Sequence, residues 1–127
     1  AYIETHNLAE HARQMGIYAV ERMKAMMVDY PLIGDVRGLG LLMGMELVRD
    51  RATRERATDE AEAVMYCALN KGLSFKITMG NILTLTPPLT ITRAEMDQAL
   101  DILEQSLIEV QRDLNDDAFA KKEQYGD

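Results

Sequence analysis

Residues 81–95, NILTLTPPLTITRAE, decide the fold of this chain, because a strand runs into a double proline and then into a capped helix. Leucine and threonine alternate over residues 83–86, which is typical of a half-buried strand. The double proline removes two backbone donors, so strand pairing must stop there. Thr92 and Glu95 have the spacing of a capping box, in which each side chain bonds the other residue's amide. The stretch therefore predicts a strand, a break and a helix in direct succession.

Upstream of this stretch, the periodicity predicts one long helix followed by one long strand. Apolar residues recur every three or four positions over residues 7–29, and Tyr30-Pro31 ends that helix. Ile33-Gly34-Asp35 predicts a turn. Val36–Val48 predicts a single strand whose faces are both mostly apolar, so we expect both faces to be covered. The charged residues 49–56 break the periodicity and predict an exposed loop.

A second helix and a hairpin are expected between that loop and the double proline. Thr58 or Asp59 should cap the helix, and Gly72 should end it in a left-handed conformation. Residues 73–77 and 82–86 alternate as the two strands of a hairpin.

The last helix should run from Thr92 to about Leu114. The summed elements predict an α+β fold, with a small antiparallel or mixed sheet of about three strands packed against three main helices. Residues 1–114 are expected to form one domain and residues 115–127 a polar C-terminal tail.

Composition narrows the class of protein. The chain has 127 residues, a net charge of -7 and no cluster of basic residues, which argues against binding to nucleic acid. Its start has no signal-peptide pattern, and no window is apolar over the length needed to span a bilayer. Cys67 is the single cysteine, which excludes an intramolecular disulfide and predicts a small packed thiol. These features favour a cytoplasmic protein with no membrane or nucleic-acid partner.

A second motif supports a family resemblance. GLGLLMGMEL, residues 38–47, follows Asp35-Val36-Arg37, and the double proline with its helix follows later in the chain. Over roughly residues 7–110, this ordered set resembles the C-terminal small domain of class III aminotransferases, which are pyridoxal-phosphate enzymes of fold type I.

The resemblance carries expectations about the whole enzyme. It implies a parent protein that transfers an amino group between an amine or amino acid and a keto acid. It also implies a homodimer and a large domain of the same polypeptide that holds the cofactor. No initiator methionine is present and helical periodicity begins almost at once, so we expect this chain to be the C-terminal part of a longer polypeptide.

No residue of this chain is expected to be catalytic, to bind the cofactor or to bind a metal. A cofactor Schiff base needs a lysine in a desolvated pocket, and none of the lysines has that setting (Lys24, Lys71, Lys76, Lys121 and Lys122). The resemblance implies that this lysine, and the aspartate on the pyridine nitrogen, belong to the large domain. The glycines of residues 38–44 precede and enter a strand and do not open a helix, so Gly38 and Gly40 predict a bulge or close backbone packing rather than a dinucleotide site.

Thr84 is the candidate substrate-binding residue. In the family that the chain resembles, many members have an arginine three residues before the double proline, where it binds a substrate carboxylate. Threonine offers one neutral hydrogen bond and cannot replace a charged bidentate donor. The difference favours a substrate without that carboxylate, a carboxylate-binding residue outside this chain, or a racemase or lyase on the same scaffold. Alternatively, Thr84 is simply a strand residue with good β-propensity.

Other polar residues have ordinary structural explanations. His6 and His11 lie five residues apart with no completing ligand, which predicts solvent-facing or helix-terminal histidines. Arg37 stands at a matched family position and is expected to pair with an acidic group of the adjoining domain. Glu46 is a carboxylate in an apolar strand whose role depends on its neighbour. A stand-alone α+β regulatory or binding module is the competing hypothesis.

Overall fold

The computed structural model describes the backbone of residues 5–125 and the side chains of residues 7–117. An antiparallel sheet of strand order β1-β2-β5-β4 packs against three helices, and the two-residue β3 pairs with β2. The fold is therefore α+β, as expected. The elements are α1 (Thr5–Asp29), β1 (Ile33–Leu39), β2 (Leu42–Asp50), β3 (Glu55–Arg56), α2 (Thr58–Asn70), β4 (Lys76–Thr78), β5 (Ile82–Leu85) and α3 (Arg93–Tyr125).

The expectation of one strand over Val36–Val48 is wrong, because the segment is a hairpin. Strands β1 and β2 pair antiparallel around a two-residue turn, with Leu39 opposite Leu42. Gly40 opens that turn with a φ of +57°, a conformation that is easy only for glycine. The turn predicted at Ile33–Asp35 is wrong for the same reason, since β1 already begins at Ile33. The sheet therefore has more strands than the three expected.

Helix α1 lies unusually close to this hairpin. A Cβ atom placed on Gly16 would come within 1.9 Å of the Gly40 carbonyl oxygen, and one on Gly38 would come within 2.5 Å of a Val20 methyl. Only glycine permits this approach, so the expectation of close packing at Gly38 is confirmed.

Helix ends follow local sequence in two places and depart from it in two others. The capping box is confirmed, because the Glu95 amide donates to the Thr92 hydroxyl at 3.1 Å and the Thr92 amide donates to Glu95 at 2.9 Å. Gly72 ends α2 with a φ of +97°, also as expected. The predicted cap of α2 is wrong: Ala57 is the N-cap and makes no side-chain bond.

The predicted end of α3 near Leu114 is also wrong, because the helix continues to Tyr125. No proline or glycine interrupts the sequence before Gly126, so nothing local stops the helix there. Among the α3 side chains that the structure describes, which end at residue 117, the last buried one is Val110, and Leu114 is half-buried.

The core lies between one face of the sheet and the helices. Its sheet side is the cross-strand row Val36, Met45, Leu83 and Ile77 together with Met43 and Leu85, all buried or packed against the core. Helix α1 contributes Ala19 and Met23, both 0 % exposed. Most methionines with described side chains fill this core, as their spacing predicts. Cys67 is a half-buried free thiol packed against it.

Polar bonds join α1 to α3 at the edge of the core. The Tyr18 hydroxyl donates to Asp97, and this bond lowers the pKa of the Asp97 carboxyl. The Tyr30 hydroxyl donates to Glu104 at 2.9 Å. Burial, reinforced by the Glu104 carboxylate, raises the pKa of Tyr30 to about 12.

Residues 49–56 are exposed, as expected, but the loop is shorter than predicted: Arg49 and Asp50 end β2, Glu55 and Arg56 form β3, and only residues 51–54 are a turn. Specific bonds order the side chains of this segment. Arg51 donates to the carbonyl oxygens of Met27 at 2.6 Å and Ile33 at 3.0 Å, which joins the end of α1 to the start of β1. Arg49 bonds the carboxylate of Glu60 at 3.0 Å. The loop therefore fastens both helices to the sheet.

Candidate functional site

One face of the sheet carries the candidate site, and we call it the open face. Because side chains alternate along a strand, the residues between the core rows all project away from the helices. They form two cross-strand rows, Arg37-Gly44-Thr84-Lys76 and Asp35-Glu46-Ile82-Thr78. The expectation that both faces are covered is wrong within the described part of the chain, where Leu42 is 54 % exposed.

Thr84 lies at the centre of the open face. It is half-buried and sits between Gly44 on β2 and Lys76 on β4. Its hydroxyl oxygen lies 3.0 Å from that of Thr78. Thr84 also lines two cavities, of about 400 Å³ and about 220 Å³. Its role toward a substrate stays a prediction.

Most charges on the open face are already paired. The Arg37 Nε atom lies 2.8 Å from a carboxylate oxygen of Asp35, its neighbour on the same strand. Glu46 accepts from Arg54 at 2.5 Å, and Arg54 also donates to the Gly34 carbonyl at 3.1 Å. Lys76, by contrast, takes part in no ion pair among residues 7–117. The open face thus has one unpaired cation, directly beside Thr84.

An apolar rim borders the larger cavity. Leu39 and Leu42, which flank the Gly40 turn, are 82 % and 54 % exposed, and Ile82 lies beside them on the same cavity wall. Exposed leucines clustered in this way mark a surface that another part of a protein or a ligand covers.

The smaller cavity lies under the double proline. Its lining includes the apolar Met43 and Met96 as well as Lys76 and Thr84. The segment after the prolines is held by His11, whose Nε2 atom lies 2.6 Å from the Ile91 carbonyl oxygen. The prediction that His11 faces solvent is wrong, because its ring is bonded to this carbonyl oxygen. The two residues are 80 positions apart in the chain, so sequence spacing could not predict the bond. His6 lies outside the described side chains.

The described residues do not fit the amine that holds pyridoxal phosphate. Lys71 lies 2.6 Å from Glu109, whose pKa it lowers, and Lys24 and Lys76 are exposed. No lysine with a described side chain is desolvated in the way a Schiff-base amine requires. Lys121 and Lys122 lie outside the described side chains.

Metal-ligand clusters and membrane-spanning helices are both absent from the described residues. These residues contain no group of three or more histidine, cysteine or acidic side chains arranged to hold a metal ion. Within the same part of the chain, none of the helices has an apolar stretch long enough to traverse a bilayer.

Sequence reasoning missed Lys76 and Thr78 as neighbours of Thr84. Lys76 lies on the opposite side of its strand from Phe75 and Ile77, which pack against the core, and that side is the one Thr84 occupies. The feature that could have revealed these neighbours is the three-residue turn at residues 79–81. This turn pairs residue 78 with residue 82 and therefore residue 76 with residue 84.

Comparison with known proteins agrees with this geometry. The model of the class III aminotransferase family matches residues 1–107. The chain is 48% identical over 111 residues to (R)-1-hydroxy-2-aminoethylphosphonate ammonia-lyase of Vibrio splendidus, covering 87% of this chain and 23% of that protein. It is 45% identical over 109 residues to leucine/methionine racemase of Thermococcus litoralis, covering 86% of this chain and 25% of that protein.

A solved aminotransferase structure from Bacillus anthracis superposes with a TM-score of 0.78 at 38% identity, covering 84% of this chain and 25% of that one. The fold and the matches define a domain of the fold type I transaminases, which are pyridoxal-phosphate enzymes. The chain belongs to the class III aminotransferase family. It spans about a quarter of the length of the relatives it matches.

Proposed function

We propose that this chain is the C-terminal small domain of a pyridoxal-phosphate enzyme that transfers an amino group between an amine or amino acid and a keto acid. The observation that carries the proposal is the uncovered sheet face with Thr84 at its centre, in a chain of the class III family. Residues 1–114 form the small domain in this proposal, and residues 115–127 form a polar tail.

The large domain of the same polypeptide covers the open face in this proposal. The exposed Leu39 and Leu42 supply apolar surface for that contact, and Arg37 and Asp35 enter it already paired with each other. Pyridoxal phosphate is bound by the large domain and supplies the electron sink for the chemistry. A cytoplasmic homodimer is the expected assembly.

The residues of this chain then act on the substrate without reacting. Thr84 forms part of the wall of the substrate pocket, and its hydroxyl offers one hydrogen bond. Closure of the small domain excludes water from the pocket and fixes the position of the substrate. The chain alone is expected to be inactive, because the reactive amine lies outside it.

An ammonia-lyase or racemase on the same scaffold is the second candidate. Two of the most similar relatives are an ammonia-lyase and a racemase. In addition, Thr84 stands at the position where an arginine that binds an α-carboxylate is expected. The three activities share the fold, so only the products distinguish them.

The purified full-length enzyme tests the proposal. We expect an absorbance band from bound cofactor and transfer of an amino group that requires a keto acid. Ammonia release without a keto acid would assign the lyase instead, and loss of optical activity would assign the racemase. A full-length protein with no cofactor band, even after cofactor is added, would contradict the proposal.

The role of Thr84 has its own test in the same enzyme. Thr84→Arg introduces a guanidinium group, which can bind a carboxylate through two parallel hydrogen bonds. The kcat/KM for an α-amino acid should therefore rise about tenfold relative to the kcat/KM for an ω-amine without a carboxylate. Thr90→Arg, on the exposed turn beyond the double proline, is the control. Equal preferences in both variants would show that Thr84 is only a strand residue.

A further inference from the structure

We infer that Lys76, Thr84 and Thr78 form a subsite for a tetrahedral oxyanion, a phosphonate or sulfonate group, on the substrate. The inference rests on the proposed function, which places the open face against the substrate, and goes beyond it by naming the acidic group that the substrate carries. Three observations support it: the position of Lys76, the paired hydroxyls and the space in front of them.

The first observation is that Lys76 is directly opposite Thr84 in the β4–β5 ladder. Side chains at such positions have Cβ atoms about 5 Å apart, within reach of one small anion. Lys76 has no carboxylate partner among the described side chains, whereas Arg37 and Arg54 on the same face each have one. An ammonium group without a partner on an exposed sheet face attracts an anion.

The second observation is the hydroxyl pair. Thr78 and Thr84 have their hydroxyl oxygens 3.0 Å apart, so one hydroxyl donates to the other and the second keeps a proton for another acceptor. If the pair opens toward an anion, both hydroxyls can donate. Lys76 and the two threonines then provide three donors that do not lie in one plane.

The arrangement of these donors favours a tetrahedral anion over a planar carboxylate. An arginine fork matches two oxygens in one plane, whereas an ammonium is a point charge that binds phosphate-like groups without that constraint. A phosphonate or sulfonate has three oxygens, one for each donor. A carboxylate has two, so one donor would remain unused.

The third observation is the space available. Gly44 stands on the other side of Thr84 in the same row, and a Cβ added there would have only the Ile82 methyl, at 3.4 Å, near it. Thr84 lines the larger cavity, so an anion at its hydroxyl leaves that cavity for the rest of the substrate.

The test is binding of small anions to the full-length enzyme loaded with cofactor. Methylphosphonate, methanesulfonate and acetate are titrated by calorimetry. Methanesulfonate and acetate carry the same charge, so a difference between them does not come from net charge, and methylphosphonate against methanesulfonate distinguishes the two tetrahedral groups. We expect methanesulfonate or methylphosphonate to bind about tenfold tighter than acetate, the effect of one additional charge-assisted hydrogen bond.

Variants connect that preference to the named residues. Lys76→Met should weaken binding of the preferred anion about tenfold or more, and Thr84→Val, which keeps the shape and removes the hydroxyl, about threefold to tenfold. Lys24→Met, an exposed lysine on α1, should leave binding unchanged. Thermal unfolding of each variant verifies that the fold is retained.

Acetate binding as tightly as the tetrahedral anions, or unchanged binding in a folded Lys76→Met enzyme, would overturn the inference. If the cofactor band is present in that case, the proposed function still stands. Lys76-dependent binding of a tetrahedral anion by a protein without a cofactor band would instead support the anion site and contradict the proposed function.

Discussion

Leu83 and Thr84 are adjacent on β5, yet they belong to opposite sides of the sheet. Leu83 is 0 % exposed and lies in a row of large apolar side chains beneath the helices. Thr84 lies in a row with a glycine and two cations and borders two cavities. The comparison shows that the fold is stabilised on one side of each strand, which leaves the other side available for binding.

The largest expected effect contrasts the two faces directly. Leu83→Ala should lower the free energy of unfolding by about 2 to 5 kcal/mol, because it leaves a cavity among residues that cannot collapse. Ile82→Ala, one residue earlier on the open face, should cost about 1 kcal/mol or less, because its side chain already has solvent or cavity beside it. Urea unfolding of the 127-residue chain, followed by circular dichroism, measures both. Equal losses would remove the distinction between the faces.

The second effect concerns the helical side and depends on pH. The pKa of Tyr30 is raised from its ordinary value near 10 to about 12, so the folded state favours the neutral phenol. Its contribution is fully present below pH 10 and is lost as the pH rises toward 12. The shift corresponds to at most about 2 to 3 kcal/mol.

Replacing Tyr30 with phenylalanine should therefore flatten the fall in stability above pH 10. Tyr66→Phe, an exposed tyrosine on α2, is the matched control and should leave that slope unchanged. The urea midpoint at pH 9 and at pH 11 is the measurement. A Tyr30→Phe curve parallel to the unmodified chain would show that the bond to Glu104 does not favour folding.

The third effect separates two helix starts on the same side of the sheet. Thr92→Ala removes the capping hydroxyl of α3 and should cost about 1 kcal/mol. Thr58→Ala at the start of α2 should cost only a few tenths of a kcal/mol, because no side chain caps that helix. A comparable loss at Thr58, read from urea midpoints, would indicate that the hydroxyl bond of Thr92 contributes little.

The smallest effect returns to the open face. Arg37→Ala should change the free energy of unfolding by about 0.5 kcal/mol or less, because the arginine side chain is 71% exposed beside Asp35. Arg51→Ala, which removes three bonds to backbone carbonyls, should cost distinctly more. If Arg37 proved the more important of the two for folding, the open face would contribute to the fold after all.

The elements that the sequence predicts well are those set by local chemistry. The period of α1, the Thr92–Glu95 capping box and the β4–β5 hairpin all depend on neighbouring residues, and the structure confirms each of them. Thr84 was identified from its distance to the double proline, which is also local. Its role toward a substrate stays a prediction.

The β1–β2 hairpin was missed because leucines continue through its turn and hide it. Before Gly40 the core-facing positions are even-numbered, Val36 and Gly38, and after it they are odd-numbered, Met43 and Met45. That change of parity marks a turn and could have been read from the sequence. The bond from His11 to Ile91 had no such signal, because it depends on how two distant segments pack.

The cross-strand row through Gly44, Thr84 and Lys76 has a consequence for how such enzymes diversify. Because its side chains contribute little to the core, random replacement at these three positions should yield a library in which most members still fold. At the proposed anion subsite, selection could then exchange one acidic group for another through a few substitutions, without a compensating mutation elsewhere in the domain.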